Sequence, residues 1–252
     1  GLGMRLREYS ENIPKPMVPI GHRPIIWNLM KFYAHYGNKD FILCLGHNSH
    51  VIKDYFLNYD ECLSNDFVLE GGSATLKNTD IHDWTITFAD TGLRSNIGMR
   101  LKAVEKYLDD LAPEDLFMAN YADGLSDVPM DDVLDFFKKS NKTACFLCVK
   151  PAQTFHYVDL NEDGTVKSIQ DTTSNGLTVN GGFFIFKKRI FDYIKDGEEL
   201  VHEPFQRLIE ENELIAYQYD GFWKCMDTFK DKQLFDEMYA EGNCPWQVWK
   251  DD

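Results

Sequence analysis

Apolar positions recur along much of the chain with the period of an amphipathic helix. In Pro24–Tyr36 they fall on one helical face, and Gly37 follows as a natural C-terminal stop. Helical stretches of similar length follow at intervals. They are His50–Tyr59, Gly98–Leu111, Met130–Lys139, Lys187–Ile194, Glu203–Asn212 and Asp231–Glu241.

Short apolar or alternating runs between these helices predict strands. They are Asp40–Leu45, Phe67–Leu69, Trp84–Phe88, Leu116–Tyr121, Thr143–Val149, Tyr157–Leu160, Thr165–Gln170, Thr178–Phe186 and Leu214–Tyr219. Strands that alternate with helices of this length indicate right-handed crossovers, so we predict an α/β fold with a Rossmann-like, mainly parallel sheet flanked by helices. No repeat, linker or low-complexity tract divides the chain, so residues 1–252 are predicted to form a single domain.

The first twenty residues combine glycines and cations in one predicted loop. Gly1 and Gly3 allow successive backbone N–H groups to point into one concavity, where they can bind phosphate oxygens. Arg5 adds a planar fork of donors, and Lys15 adds a compact charge. This combination predicts a polyphosphate site, while an ordinary turn with a solvated charge remains the alternative.

No strand is predicted before this loop, although phosphate-binding loops of this kind normally follow a buried strand. Either a short apolar segment precedes Gly1 in the natural protein, or the sheet lacks a central strand. We favour the first interpretation because a gap in the middle of a sheet leaves backbone donors and acceptors unpaired. The first strand is therefore expected to be missing from the sequence.

Composition indicates an ordinary globular protein. Of the 252 residues, 44% are hydrophobic and 14% aromatic, which is enough for a packed core. The net charge of −15 argues against a nucleic-acid surface. No apolar run is long enough for a membrane span and no signal-peptide pattern is present, so we expect a cytoplasmic protein. The six cysteines lack a zinc-site spacing and are expected to be buried free thiols.

Two aspartates stand out as candidate metal ligands. Asp123 follows an apolar strand and precedes Gly124, at the sheet edge where α/β proteins bind ligands. Asp227 lies in the apolar segment GFWKCMDT, where an unpaired carboxylate is costly. We predict that the fold brings these two acids together around Mg²⁺, which prefers oxygen ligands. An ordinary turn role is the alternative for Asp123 and the favoured one for Asp127. For Asp227, burial next to a cation would resolve the cost.

A glycine pair opens one of the predicted strands. Asn180, Gly181 and Gly182 precede the apolar run Phe183–Phe186. Two glycines at the start of a strand predict close approach of another backbone or of a ligand. The amide of Asn180 can donate and accept hydrogen bonds with hydroxyl groups.

Several sequence blocks, in one order, carry a resemblance to a known family. They are GLGMRL from Gly1, KPMVPIGHRPIIWNLM from Lys15, ADTG from Ala89, GMRLKAVEKYL from Gly98, YADG from Tyr121, NGGFFIF from Asn180 and GFWKCMDTFKDK from Gly221. On these blocks the chain resembles the sugar-1-phosphate nucleotidyltransferases, and within them the glucose-1-phosphate cytidylyltransferases. The resemblance implies a Mg²⁺-dependent enzyme that joins a nucleoside triphosphate, CTP being favoured, to a sugar 1-phosphate and releases pyrophosphate.

The resemblance also implies roles for individual residues. Residues 1–150 would form the nucleotide-binding part, and residues 151–252 the acceptor-binding and C-terminal part. The implied nucleotide-binding residues are Gly1, Gly3, Arg5, Lys15, Gly98 and Arg100, of which Arg5 and Lys15 are catalytic. The implied metal ligands are Asp123 and Asp227, and Asn180 and Gly181 would contact the acceptor. A homo-oligomer is also expected from the resemblance.

The chain departs from the family pattern in three places. Met4 replaces a threonine or serine, and Ala122 replaces a glycine. Asp171-Thr172-Thr173 stands where the family has Glu-Lys-Pro, so the lysine that holds the sugar phosphate is absent. Another sugar phosphate or a non-sugar phosphate therefore remains open as acceptor. Two other functions also stay open, a glycosyltransferase that holds Mn²⁺ on Asp123 and Asp127, and a non-catalytic nucleotide-sugar-binding protein.

Overall fold

The computed structural model describes residues 13–151, 156–171 and 176–250, in which helices and strands alternate as the sequence predicts. The α-helices of these residues are α1 Ile25–His35, α2 Ser49–Leu57, α3 Ile97–Val104, α4 Met130–Ser140, α5 Glu203–Glu210 and α6 Phe229–Ala240. Two of the predicted helices differ in form from an α-helix. The one predicted near residue 190 is a 3₁₀ helix, Lys188–Tyr193, and α3 continues as a 3₁₀ helix over Glu105–Leu108.

The strands are short and fall into several small sheets. They are β1 Pro19–Ile20, β2 Arg23–Pro24, β3 Asp40–Leu45, β4 Phe67–Glu70, β5 Ser73–Leu76, β6 Thr85–Asp90, β7 Leu116–Asn120, β8 Gly124–Ser126, β9 Ala144–Val149, β10 His156–Leu160, β11 Val166–Asp171, β12 Val179–Lys187, β13 Leu214–Tyr219 and β14 Trp223–Cys225. The largest sheet has the order β13-β9-β12-β7, and β3 pairs with β6 separately. The smaller pairs are β1 with β2, β4 with β5, β8 with β14, and β10 with β11.

The prediction of an α/β fold is confirmed, but that of one mainly parallel sheet is only partly right. Strands β9 and β13 are parallel, as are β3 and β6, whereas β12 runs antiparallel to both of its neighbours, β7 and β9. The chain reaches β12 from the hairpin of β10 and β11 rather than through a crossover helix. An apolar run such as Phe183–Phe186 reads the same in either direction, so the pattern could not reveal this reversal.

Strand β12 organises the core because both of its faces are buried. Phe183 and Ile185 pack with α1, α4 and the fully buried Trp246 on one side. Phe184 and Phe186 pack with α3 and α5 on the other side. Helices therefore cover both faces of the largest sheet, as expected of a layered α/β protein. All six cysteines are free thiols, as predicted, but only Cys145 is buried, and Cys44 is exposed.

A buried ion pair fixes the segment around residue 80 to the start of α1. Arg23 is only 2% exposed, and its Nη2 lies 3.4 Å from Oδ2 of Asp80. The guanidinium also donates to the carbonyl of Asp60 at 2.8 Å and to the hydroxyl of Ser64, and lies 4.1 Å from the ring centre of Tyr59. Because the charge is both paired and hydrogen-bonded, the desolvation cost of its burial is offset.

Candidate active site

Lys15 joins the two aspartates that the sequence singles out as metal ligands. Its Nζ lies 2.6 Å from Oδ2 of Asp123 and 2.5 Å from Oδ1 of Asp227. The Lys15 side chain is 19% exposed and each carboxylate 30%, so the cluster is partly shielded but open to solvent. Burial by itself lowers the pKa of Lys15, but the two carboxylates outweigh it, and that pKa is raised. The lysine is therefore a persistent cation.

A short antiparallel ribbon places the two aspartates side by side. Gly124 of β8 pairs with Cys225 of β14, and the N–H of Met226 donates to the carbonyl of Asp123 at 2.8 Å. Asp123 directly precedes one strand of the ribbon and Asp227 follows the other by two residues. The pairing of β8 with β14 therefore brings together two acids that lie far apart in the sequence.

The start of α6 fixes the backbone of Asp227. The N–H groups of Asp227 and Thr228 donate to Oδ2 of Asp231 at 3.1 and 2.8 Å, and Thr228 and Asp231 form a capping box. On the side-chain face, the thiol of Cys225 donates to Oδ2 of Asp227 at 3.3 Å. Burial and then the adjacent Asp227 carboxylate raise the pKa of Cys225 to about 12, so this thiol stays protonated. The carboxylate is thus held in place by a neutral thiol at one oxygen and by the Lys15 ammonium at the other.

Asp127 has a different environment from Asp123 and Asp227. Its Oδ1 accepts hydrogen bonds from the hydroxyl of Tyr219 at 2.5 Å and from the N–H of Phe222 at 2.9 Å. These bonds tie the residue after β8 to the end of β13 and to the residue before β14. The structural role favoured for Asp127 agrees with these contacts.

The Asn180–Gly182 segment forms an irregularity in β12 next to the aspartate cluster. The pairing of β12 with β9 shifts register between Asn180 and Phe184. The carbonyl of Gly181 accepts a hydrogen bond from Nε1 of Trp223 at 2.8 Å. Gly182 has a φ of +76°, and a Cβ added to it would lie 2.6 Å from the ring of Tyr121. The predicted close approach at these glycines is therefore explained by protein groups, and contact of Asn180 and Gly181 with an acceptor remains a prediction.

Gly98 and Arg100 lie on α3. A Cβ on Gly98 would lie 2.3 Å from the carbonyl oxygen of Glu198, so this glycine allows α3 to pack closely on the segment before α5. The guanidinium of Arg100 donates to Thr91 Oγ1 at 2.7 Å and to the carbonyl of Leu45 at 3.2 Å. Arg100 thus stands at the carboxyl end of β3, an edge suited to a ligand. Nucleotide contact by either residue stays a prediction.

The close packing at Gly98 gives a stability test. Gly98→Ala is expected to destabilise the protein by about 2 kcal/mol, because the clashing atom belongs to the backbone and overpacking of this kind costs about 1–3 kcal/mol. Gly46→Ala is the matched control, since its Cβ would meet only the flexible end of Arg100 at 2.8 Å. Urea unfolding monitored by circular dichroism measures both variants. Equal stability of Gly98→Ala and the original protein would contradict the packing role.

Part of the predicted phosphate loop lies outside the described residues. Gly1, Gly3 and Arg5 belong to this undescribed part of the loop. Thr172 and Thr173, in a separate segment, also lie outside the described residues. Within the described ranges, no group of three or more histidine, cysteine, aspartate or glutamate side chains is arranged to hold a metal. The pair Asp123 and Asp227 still fits a hard divalent cation, because both offer carboxylate oxygens that already contact a single cation, the ammonium of Lys15. In the same ranges, no helix has the length and apolar character needed to cross a membrane.

Sequence reasoning missed three neighbours of these residues. Cys225 contacts Asp227, Trp223 contacts Gly181, and Thr91 contacts Arg100. The first two lie in the same GFWKCMDT segment as Asp227, and alternation along a strand would have placed Trp223 and Cys225 on one face. Nothing in the spacing pointed to Thr91.

Comparison with known proteins gives consistent results over the whole chain. The family described as "Nucleotidyl transferase" matches residues 1–241. The chain is 36% identical over 253 aligned positions to the glucose-1-phosphate cytidylyltransferase of Salmonella typhi, covering 99% of this chain and 97% of that protein. It is 32% identical to the probable glucose-1-phosphate cytidylyltransferase of Bacillus subtilis, again covering 99% of this chain and 97% of the relative.

The fold is similar to that of solved structures with much lower sequence identity. The crystal structure of apo UDP-glucose pyrophosphorylase superimposes with a TM-score of 0.69 at 18% identity, covering 97% of this chain and 96% of that one. At this identity the likeness concerns the fold alone.

Proposed function

Because this chain belongs to the nucleotidyl transferase family, we propose that it transfers CMP from CTP to glucose 1-phosphate, giving a cytidine diphosphate sugar and pyrophosphate. The chemistry of the proposal is supported by one structural observation, the contact of Lys15 with both Asp123 and Asp227. The choice of base and sugar is supported by the full-length similarity to the cytidylyltransferases of Salmonella typhi and Bacillus subtilis.

The proposed reaction needs positioning and charge neutralisation rather than a strong base. A phosphate oxygen of the sugar phosphate attacks the α-phosphorus in line, a new P–O bond forms, and the bond to pyrophosphate breaks. The attacking oxygen is already anionic, so no proton has to be removed from it. Lys15 is protonated and can neutralise phosphate charge, and Arg5 is proposed to act with it from the N-terminal loop. Gly1, Gly3, Gly98 and Arg100 are proposed to bind the nucleotide in the same part of the chain, residues 1–150.

Asp123 and Asp227 are the proposed ligands of Mg²⁺. An ion held there would supply positive charge to neutralise the phosphates. Two features of the protein position these ligands. The antiparallel ribbon places both carboxylates side by side, and the N-terminal cap of α6 fixes the backbone of Asp227.

The acceptor is proposed to bind in residues 151–252, against Asn180 and Gly181. The next residue, Gly182, accepts a hydrogen bond from the N–H of Tyr121 at 2.9 Å, and Tyr121 lies two residues before Asp123. Asn180 and Gly181 therefore lie next to the aspartate ribbon. The Asp171-Thr172-Thr173 sequence has no cation for the acceptor phosphate. A cytidylyltransferase that uses another phosphorylated acceptor is therefore the second candidate, and this departure is the observation that favours it.

Pyrophosphate release tests the proposal. The protein is mixed with Mg²⁺ and CTP, UTP, dTTP, ATP or GTP, each with glucose 1-phosphate and with a panel of other sugar and non-sugar phosphates. We expect release with CTP and glucose 1-phosphate. Release with CTP only when another phosphate is present would select the second candidate, and binding of CTP without release from any acceptor would contradict an enzymatic function. The Asp123→Asn variant controls for contaminating activity.

A further inference from the structure

The ammonium of Lys15 occupies the space that a cation shared by Asp123 and Asp227 would need. It contacts one oxygen of each carboxylate, Oδ2 of Asp123 and Oδ1 of Asp227. Mg²⁺ binds oxygen at about 2.0–2.1 Å, closer than the contacts of the ammonium. An ion placed between the same two oxygens would lie where the ammonium now lies, and the two positive charges would repel each other. We propose that Lys15 is an internal counter-ion, which competes with the divalent cation for the two carboxylates and moves to the phosphates when that cation binds.

This inference rests on the proposed function, since it assigns an order of contacts to the same residues. The charges of the cluster support it. Lys15 brings one positive charge to the two carboxylates it contacts and so offsets part of their mutual repulsion. A divalent cation brings two positive charges to the same carboxylates, and it also repels the ammonium. The electrostatics thus favour exchange of one cation for the other.

The local structure allows the side chain to move while its backbone stays in place. Lys15 begins a 3₁₀ turn, Lys15–Met17. The N–H of Met17 donates to the carbonyl of Pro14 at 2.8 Å, and the N–H of Val18 donates to the backbone carbonyl of Lys15 at 3.1 Å. These bonds hold the main chain. The four-carbon stem of lysine is flexible, and its charge is a point that can change partners without a fixed geometry. The partly exposed cluster gives both the ammonium and an incoming ion access to solvent.

Direct metal binding without nucleotide tests the competition. Mn²⁺ is titrated into the protein, and the free ion is followed by electron paramagnetic resonance. Lys15→Met is expected to bind Mn²⁺ about tenfold more tightly than the original protein, because a competing charge in direct contact with both ligands has been removed. Lys15→Arg keeps the charge and is expected to bind Mn²⁺ about as weakly as the original protein. Lys15→Gln provides a second neutral variant, and circular dichroism checks that each variant is folded.

The matched control removes a lysine that pairs with an aspartate elsewhere. Lys39 contacts Asp83 on the surface, so Lys39→Met changes the net charge equally and leaves the cluster untouched. It is expected to leave Mn²⁺ affinity unchanged, and the double variant Lys15→Met, Asp227→Asn is expected to lose the gain. Unchanged or weaker Mn²⁺ binding by both neutral Lys15 variants would overturn the proposal, as would a gain that survives Asp227→Asn.

The outcomes separate this inference from the proposed function. Pyrophosphate release by the original protein, measured on the same preparation, tests the function alone. If release is observed and the Lys15 variants do not bind Mn²⁺ more tightly, the function stands and the competition is overturned. If no acceptor supports release but Mn²⁺ binding tightens, the counter-ion role stands and the proposed reaction fails.

Discussion

Asp227→Asn is expected to slow pyrophosphate release by about a thousandfold while the protein stays folded. The substitution keeps the size of the side chain but removes one of the two carboxylates proposed to hold Mg²⁺, and metal stabilisation of developing charge contributes several kcal/mol to a transition state. The fold is preserved because the contacts of Asp227 with Asp231 use its backbone N–H. Steady-state rates at saturating CTP and glucose 1-phosphate measure the loss, and circular dichroism measures the fold.

Asp127→Asn is the control for this result. Asp127 lies close in sequence to Asp123, but its Oδ1 accepts hydrogen bonds from Tyr219 and Phe222, which an asparagine oxygen can also accept. We therefore expect little change in rate from this variant. If Asp127→Asn were as inactive as Asp227→Asn, the assignment of Asp123 and Asp227 as the metal ligands would be wrong.

Arg23→Met is expected to lower the free energy of unfolding by about 3–5 kcal/mol, the usual cost of removing one partner of a buried ion pair. The change leaves the Asp80 carboxylate, which is 8% exposed, without its guanidinium. Lys31 lies 3.8 Å from Oδ1 of Asp80 and compensates only in part. Methionine approximates the length of the arginine stem, so the loss reports the charge rather than a cavity. Urea unfolding at equilibrium measures it.

Two further variants identify the cause of that loss. Arg23→Met combined with Asp80→Asn removes both charges, and we expect it to recover part of the stability. Lys39→Met breaks the exposed pair with Asp83 and is expected to change stability little, because solvent screens such pairs. A loss for Arg23→Met no larger than that for Lys39→Met would show that the buried pair is not what holds the residue-80 segment.

The sequence predicted the individual elements of the fold better than the arrangement of its strands. Amphipathic periodicity located helices such as α1 and α4, because the spacing of apolar residues shows which face of a helix is buried. The direction of β12 could not be predicted. A strand that is buried on both faces is a continuous apolar run, and such a run does not indicate whether the neighbouring strands are parallel or antiparallel to it. Strand β4 was predicted near its observed position, but its pairing with β5 in an exposed hairpin depends on contacts that residue types alone do not specify.

The candidate site was predictable in its residue types and not in its contacts. Lys15, Asp123 and Asp227 were chosen because their local sequences suit phosphate and metal, and the structure brings them together. The sequence could not show that Lys15 contacts the acids themselves, since this depends on the pairing of β8 with β14. Gly98 is the opposite case. Its sequence block resembles a nucleotide-binding segment, yet the space around it is filled by the carbonyl of Glu198.

The indole of Trp223 spans two of the proposed binding regions. Its ring belongs to β14, two positions before Cys225, and its N–H donates to the carbonyl of Gly181 in the proposed acceptor region. Indole emission responds to hydrogen bonding and to the polarity around the ring. The protein therefore contains a native fluorophore at the junction of the metal and acceptor regions. Its emission can be separated from that of the other four tryptophans by comparison with a Trp223→Phe variant, so an optical titration can follow occupancy there without a label.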